Sequence, residues 1–165
     1  MVYLRYRGSH FKTAWQTDTM VAEFRPMAAR GWACHLVLER LPEDLSWLQG
    51  FHDLGVQIHC ISRPRGKFDW QCIRQACRLF RKIGADIVIC ENIHSSPMIA
   101  AAAVRVPVRI WIKHAMNSCF EECRQPTFKD RISLTTRLSS FLATRVAAVS
   151  RAVQQELIGL GVPGH

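Results

Sequence analysis

The chain is 165 residues long with a formal net charge of +9, and it is 48% hydrophobic and 21% charged. That is one domain's length with enough apolar material for a core, which excludes a disordered, collagen-like or low-complexity chain. The positive balance favours anionic partners, and the longest nearly uncharged stretch, around residues 95–104, is far too short to span a bilayer.

Read in chain order, short apolar runs alternate with amphipathic stretches. Residues 2–6 are a short strand-like run. Residues 13–30 carry Met20, Val21, Phe24, Met27 and Ala28 at helical spacing, and Gly31 is a helix stop. Residues 32–38 read as a buried strand. Residues 42–54 read as a helix with Leu45, Leu48 and Phe51 in step, ended by Gly55, and residues 56–61 alternate as a strand. A basic turn, residues 63–67, leads to Asp69, a helix cap for a segment running to Ile83 and closed by Gly84. Residues 85–90 are the clearest strand. Residues 95–104 form an Ala-rich helix with Pro97 in its first turn, and residues 107–113 a fifth strand. After a loop at 114–127, residues 129–144 read as a long helix and 145–149 as a strand. Ser150 caps a last helix to Leu160, which Gly161 and Pro163 terminate.

About six β-α units in register predict a doubly wound, mostly parallel sheet with helices on both faces, a single Rossmann-like α/β domain. Ligands of such sheets bind outside the carboxyl ends of the strands. The loops that matter are therefore 7–12, 91–96, 114–125 and the Ser150 turn. Seven cysteines between Cys34 and Cys123, with no apolar leader ahead of them, read as reduced, mostly buried thiols of a cytosolic protein. The spacing of His114, Cys119 and Cys123 matches no common zinc pattern, so no metal is expected. No zinc-finger spacing, RNA-binding strand motif or helix-turn-helix is present, so charge alone does not make a nucleic-acid binder.

Four stretches carry a family resemblance. MAARGWACHLVL has the form of a helix-to-strand step, LGVQIHCISRPRG of the next strand, ADIVICENIHSSPMIAAAAVRVPVRIWIKHAMN of two βα units, and TRVAAVSRAVQQELIGLGVP of a domain-closing segment. In this order they resemble the N-terminal domain of family-4 glycosyltransferases, retaining enzymes of the two-domain GT-B fold. The resemblance covers most of residues 1–165 and implies the acceptor-side half of such an enzyme, with the C-terminal donor-binding domain absent. It implies transfer of a sugar from a nucleotide-sugar donor to an acceptor hydroxyl with retention, and no further cofactor. The two glutamates, separated by seven residues, that the second domain normally supplies have no counterpart, because no glutamate pair here is eight positions apart. The chain alone is then not expected to complete a catalytic cleft. The alternative is a non-catalytic α/β binding or interaction domain, or a truncated remnant of such an enzyme.

The resemblance implies that His114 lies where the family places a histidine beside the transferred sugar or donor phosphates, the catalytic candidate. Gly8, Ser9 and Lys12 of the first loop, Asn92, His94 and Ser95 after the fourth strand, and Asn117 are the candidate substrate-binding residues. The first loop carries only Gly8 where the family commonly has paired glycines. Ser95 or Ser96 is equally readable as a helix cap, and Glu91 is a weak choice for a base. Arg63, Arg65, Lys67, Arg74 and Arg78 are expected to face an anionic membrane beside a lipid-linked or sugar acceptor, with Trp70, Ile73, Cys77 and Phe80 buried on the helix's other face. The expected location is cytoplasmic, with peripheral contact at the inner membrane face.

Overall fold

Six of the apolar runs form strands because a parallel sheet covered on both faces needs apolar residues pointing both ways. The computed structural model describes residues 1–7, 14–65, 68–91, 95–114 and 134–162. Among these the strands are β1 (Val2–Tyr6), β2 (Ala33–Leu38), β3 (Gln57–Cys60), β4 (Ile87–Glu91), β5 (Val108–Lys113) and β6 (Arg145–Ala148). The helices are α1 (Ala14–Ala28), α2 (Gln49–Asp53), α3 (Trp70–Ile83), α4 (Ser96–Ala103), α5 (Leu134–Leu142) and α6 (Arg151–Gly159). All strand pairs are parallel, in the order β3-β2-β1-β4-β5-β6. The expected doubly wound α/β sheet is therefore what forms. The winding direction reverses between β1 and β4, the position at which such sheets open a crevice.

The two sheet faces bury separate cores. On one, Leu4, Tyr6, Val37, Val88, Cys90 and Trp111 pack with Ile73, Ala76 and Phe80 of α3, Met98 and Ala101 of α4, and Val153 and Leu157 of α6. On the other, Tyr3, Leu36, Leu38 and Ile89 pack with Met20 and Phe24 of α1 and Phe51 of α2. The Asp69 cap forms as expected: its Oδ1 accepts from the backbone N–H groups of Gln71 and Cys72. Gly84 closes α3 at φ 64° and ψ 49°, a left-handed turn that a side chain would strain. Arg109 ties α5 to the sheet by donating from Nε to the Leu142 carbonyl at 2.7 Å and from Nη1 to that of Val106 at 2.6 Å.

Three sequence expectations change. The helix read over residues 42–54 is a 3-10 turn, Leu45–Leu48, followed by the short α2. Asp44 caps the turn by accepting from Ser46 N–H, and the turn's tighter winding breaks the 3.6-residue register. Trp70 is not buried with Ile73 and Phe80 but is 70% exposed. At 3.6 residues per turn it falls between Ile73 and Arg74, and the sheet takes Cys72, Ile73, Ala76 and Phe80 instead. Ser95 does not cap α4 with its side chain. The helix read over residues 129–144 is described only as Leu134–Leu142, and residues 129–133 lie outside the described residues. Among the described residues, no helix is long and apolar enough to cross a membrane.

At the β2–β3 edge, His35 Nδ1 and His59 Nε2 lie 3.0 Å apart, so one ring donates to the other. Burial holds both imidazoles below the ordinary histidine range; His59 also lowers His35, and Lys82 lowers His59. In the unfolded chain both rings take up protons near pH 6.5, whereas the folded pair resists until lower pH. The unfolded state then binds more protons, so this contribution to stability is complete above about pH 6.5 and is lost as pH falls below it. We expect the drop in Tm between about pH 7.5 and about pH 5 to shrink in His35→Gln/His59→Gln. Thermal unfolding by circular dichroism at the two pH values measures this, and an unchanged drop would remove the pair from the acid response.

Candidate functional site

The crevice side of the sheet is built from the ends of three strands. Alternation along β1 puts Tyr3 and Arg5 on one face and Leu4 and Tyr6 on the other. Parallel pairing of β1 with β4 sets Arg5 beside Ile89 and carries Glu91 one residue past the end of the ladder at Tyr6–Cys90. β5 pairs Glu91 with Ile112, and His114 follows the strand's last residue, Lys113. A basic residue of the first strand, an acidic residue of the fourth and an imidazole after the fifth thus converge at the reversal point.

Glu91 is the hub. Its Oε1 accepts from Arg5 Nε at 2.8 Å and lies 2.5 Å from Arg5 Nη2. Its Oε2 lies 3.8 Å from Arg7 Nη1 and 3.6 Å from His114 Nε2. Arg5 also pairs with Glu23 of α1 at 3.2 Å, and the Tyr3 hydroxyl donates to that same Glu23 oxygen. Burial alone works against the Arg5 charge, but Glu91 and Glu23 outweigh it and raise the guanidinium above its usual range. The Tyr3 phenol is pushed up, by burial first and then by Glu23.

The His114 side chain is 43% exposed, against 11% for Glu91, so the imidazole is the cluster's most accessible member. Burial holds it below the usual histidine range; Glu91 opposes this, while Arg5 and Arg7 push it further down. The ring is therefore neutral at pH 7, with one N–H to donate and one lone pair to accept. Such a group can orient a hydroxyl or donate to a phosphoryl oxygen without carrying a permanent charge.

On the opposite face, Lys113 Nζ pairs with Glu156 of α6 at 3.4 Å, both side chains being almost wholly buried. This pair fixes the end of β5 from behind, one residue before His114. Ser95 is buried between α4 and α5, its Oγ accepting from Ser139 Oγ at 3.3 Å. Gly8, Ser9, Lys12, Asn92, His94, Asn117 and Lys67 lie outside the described residues, as do Cys119 and Cys123. Arg63, Arg65, Arg74 and Arg78 are exposed, and Arg63 Nε lies 4.0 Å from Glu39 Oε1. Among the described residues no group of three or more His, Cys, Asp or Glu side chains is placed to hold a metal ion.

Sequence reading missed Arg5, Arg7 and Glu23 and undervalued Glu91. The available signal was the basic alternation of VYLRYR, since a charge within a central strand must find a partner.

A model of the family described as Glycosyltransferase Family 4 matches residues 22–165, all but the first 21 residues of the chain. No curated protein matches it.

Proposed function

The chain belongs to glycosyltransferase family 4, and on that premise we propose that residues 1–165 are the acceptor-side half of an enzyme that transfers a sugar from a nucleotide-sugar donor to an acceptor hydroxyl with retention. The observation that carries this reading is the convergence of Arg5, Arg7, Glu91 and His114 on the carboxyl ends of β1, β4 and β5. Two guanidinium groups face two carboxylates, Glu91 and Glu23, so the cluster is close to charge-neutral. Such a site suits hydroxyl-rich ligands better than a free polyanion. His114, as the neutral and accessible group, meets the hydroxyl or the leaving phosphate oxygen. Arg5 acts through Glu91 as a positioning residue, holding the carboxylate against the imidazole. Gly8, Ser9 and Lys12 complete the donor-phosphate side, and Asn92, His94 and Asn117 the acceptor side. A second domain makes most of the contacts to the donor nucleotide.

Calorimetric titration of the chain with a panel of UDP- and GDP-sugars, repeated with His114→Ala, tests this division of labour. The expected result is affinity no better than about 1 mM, some −4 kcal/mol, without turnover. Tight donor binding lost in His114→Ala, or measurable transfer by the chain alone, would place a complete donor site within these residues and overturn the reading.

A further inference from the structure

Glu39 takes no part in the His114 cluster, and its carboxylate is short of partners. It follows β2 directly, at the carboxyl edge of the sheet. Alternation along the strand sets it on the face of Val37, which α3 covers, and away from that of Leu36 and Leu38. Its side chain is 10% exposed, and Oε1 is enclosed without a hydrogen-bond partner. Arg63 Nε, at 4.0 Å, is too far to donate to it, and the Arg63 side chain is 74% exposed. Burial holds the Glu39 carboxyl above its ordinary range, against the pull of Arg63 and Arg40. The Tyr6 hydroxyl and the Cys72 thiol, 3.7 Å apart, stand near it: burial is the main cause raising both, and the Glu39 charge adds to each. Cys72 lies in the first turn of α3, and Phe68 and Trp70 stand exposed where that helix begins. A buried acceptor without a donor works against folding, so a protein that keeps one has a donor to receive.

We propose that Glu39 binds the hydroxyls of a neutral sugar ring, and that the acceptor is an oligosaccharide held there by a ring other than the one that reacts. This rests on the sugar-transfer reading and adds the size of the acceptor to it. Charge selects the ligand. An ammonium group would meet Arg63 and Arg40, and a phosphate or carboxylate would meet Glu39, so a neutral donor fits. A hydroxyl supplies the missing O–H, and its neighbour on the same ring can accept from the Arg63 guanidinium. Phe68 and Trp70 offer apolar surface for the face of a ring. Distance sets the length. In sheet order β1 and β4 lie between β2 and β5, so the strand ends carrying Glu39 and His114 are three spacings, or about 14 Å, apart. The two side chains do not close that gap, since Glu39 lies on the α3 face and His114 meets Glu91 on the α1 side. Two hydrogen bonds of about 2.8 Å leave about 8 Å for the ligand, more than one sugar ring spans.

The test is NMR titration of the 165-residue chain, histidine-labelled, with mono-, di- and trisaccharides of glucose, galactose and mannose. For at least one series we expect affinity to rise about tenfold from mono- to trisaccharide, the trisaccharide shifting the His114 imidazole. Glu39→Leu should abolish that rise, and Glu39→Gln, which keeps one acceptor oxygen, should retain part of it. Thermal unfolding separates this role from a structural one. Replacing an unpaired buried acceptor by an apolar group of similar shape should leave Tm unchanged or raise it. A Glu39→Leu chain that melts well below the parent, or that keeps the parent's preference for longer sugars, would overturn the proposal. Trisaccharides that shift His114 equally in parent and Glu39→Leu would do the same while leaving the sugar-transfer reading intact. Binding that depends on Glu39 but leaves His114 unmoved would sever this residue from the reacting group and overturn the oligosaccharide assignment. A panel in which no sugar binds overturns the Glu39 site alone, because the donor titration judges the parent reading separately.

Discussion

Glu91→Ala is expected to destabilise the fold by about 3 to 5 kcal/mol, because it leaves the Arg5 guanidinium buried with only Glu23 opposite it. The Arg5 side chain is 6% exposed and cannot regain water without leaving the sheet. Glu91→Gln should cost less, since the amide oxygen can still accept from Nε although the charge is gone. Arg5→Met/Glu91→Leu removes both members, and it should recover much of the loss, because a well-packed apolar pair avoids the desolvation cost of two ions. Urea unfolding of the four proteins gives the comparison. If Glu91→Ala and the parent chain unfold at the same denaturant concentration, the cluster does not hold the β1–β4 seam. The same substitution carries a readout of the site. Glu91 is the main influence raising the His114 proton affinity, so its removal should move the imidazole further below the histidine range, and Arg7→Ala should move it up. A histidine-labelled NMR titration measures both directions. A shift upward on loss of Glu91 would mean that the carboxylate does not face the ring.

The parts of this arrangement legible in the sequence are those set by local chemistry. Alternating strand and helix patterns gave the sheet class, since an apolar run bounded by helix stops needs no tertiary information to be read. Asp69 and Gly84 could be read as the two ends of α3 from residue type alone, and His114 as a strand-end residue from the run before it. The ion-pair hub could not be read so, because Arg5 and Glu91 lie 86 positions apart and meet only once β1 inserts beside β4. The alternation of VYLRYR marks Arg5 as a charge on a buried face but does not name its partner. The same holds for Glu156, which looks like a solvated helix residue until α6 lays it against Lys113. Trp70 departs for a different reason: on helical spacing it is a borderline position at the edge of the face that buries Cys72, Ile73, Ala76 and Phe80, and it is left exposed.

Phe24→Ala should produce a loss of similar size, about 3 to 5 kcal/mol, from the other side of the same cluster. Phe24 is fully buried and meets Tyr3 at 5.4 Å and Phe51 at 5.7 Å, edge to face in both cases. These contacts add to the burial of the ring, and their loss leaves a void that α1 and α2 must either bear or collapse into. Phe24→Leu, which fills most of the volume, should cost considerably less. The consequence reaches the site because Glu23 precedes Phe24 on α1 and is the second carboxylate on Arg5. The depth at which Phe24 seats the helix sets the distance between Glu23, Tyr3 and Arg5. A void beneath α1 should therefore weaken the ion pair as well as the core, and the two effects should not add independently. A double-mutant cycle of Phe24→Ala with Glu23→Gln tests this by denaturant unfolding. A coupling above about 0.5 kcal/mol marks packing and electrostatics as one unit, whereas simple additivity would show that the hub is held by β1 and β4 alone.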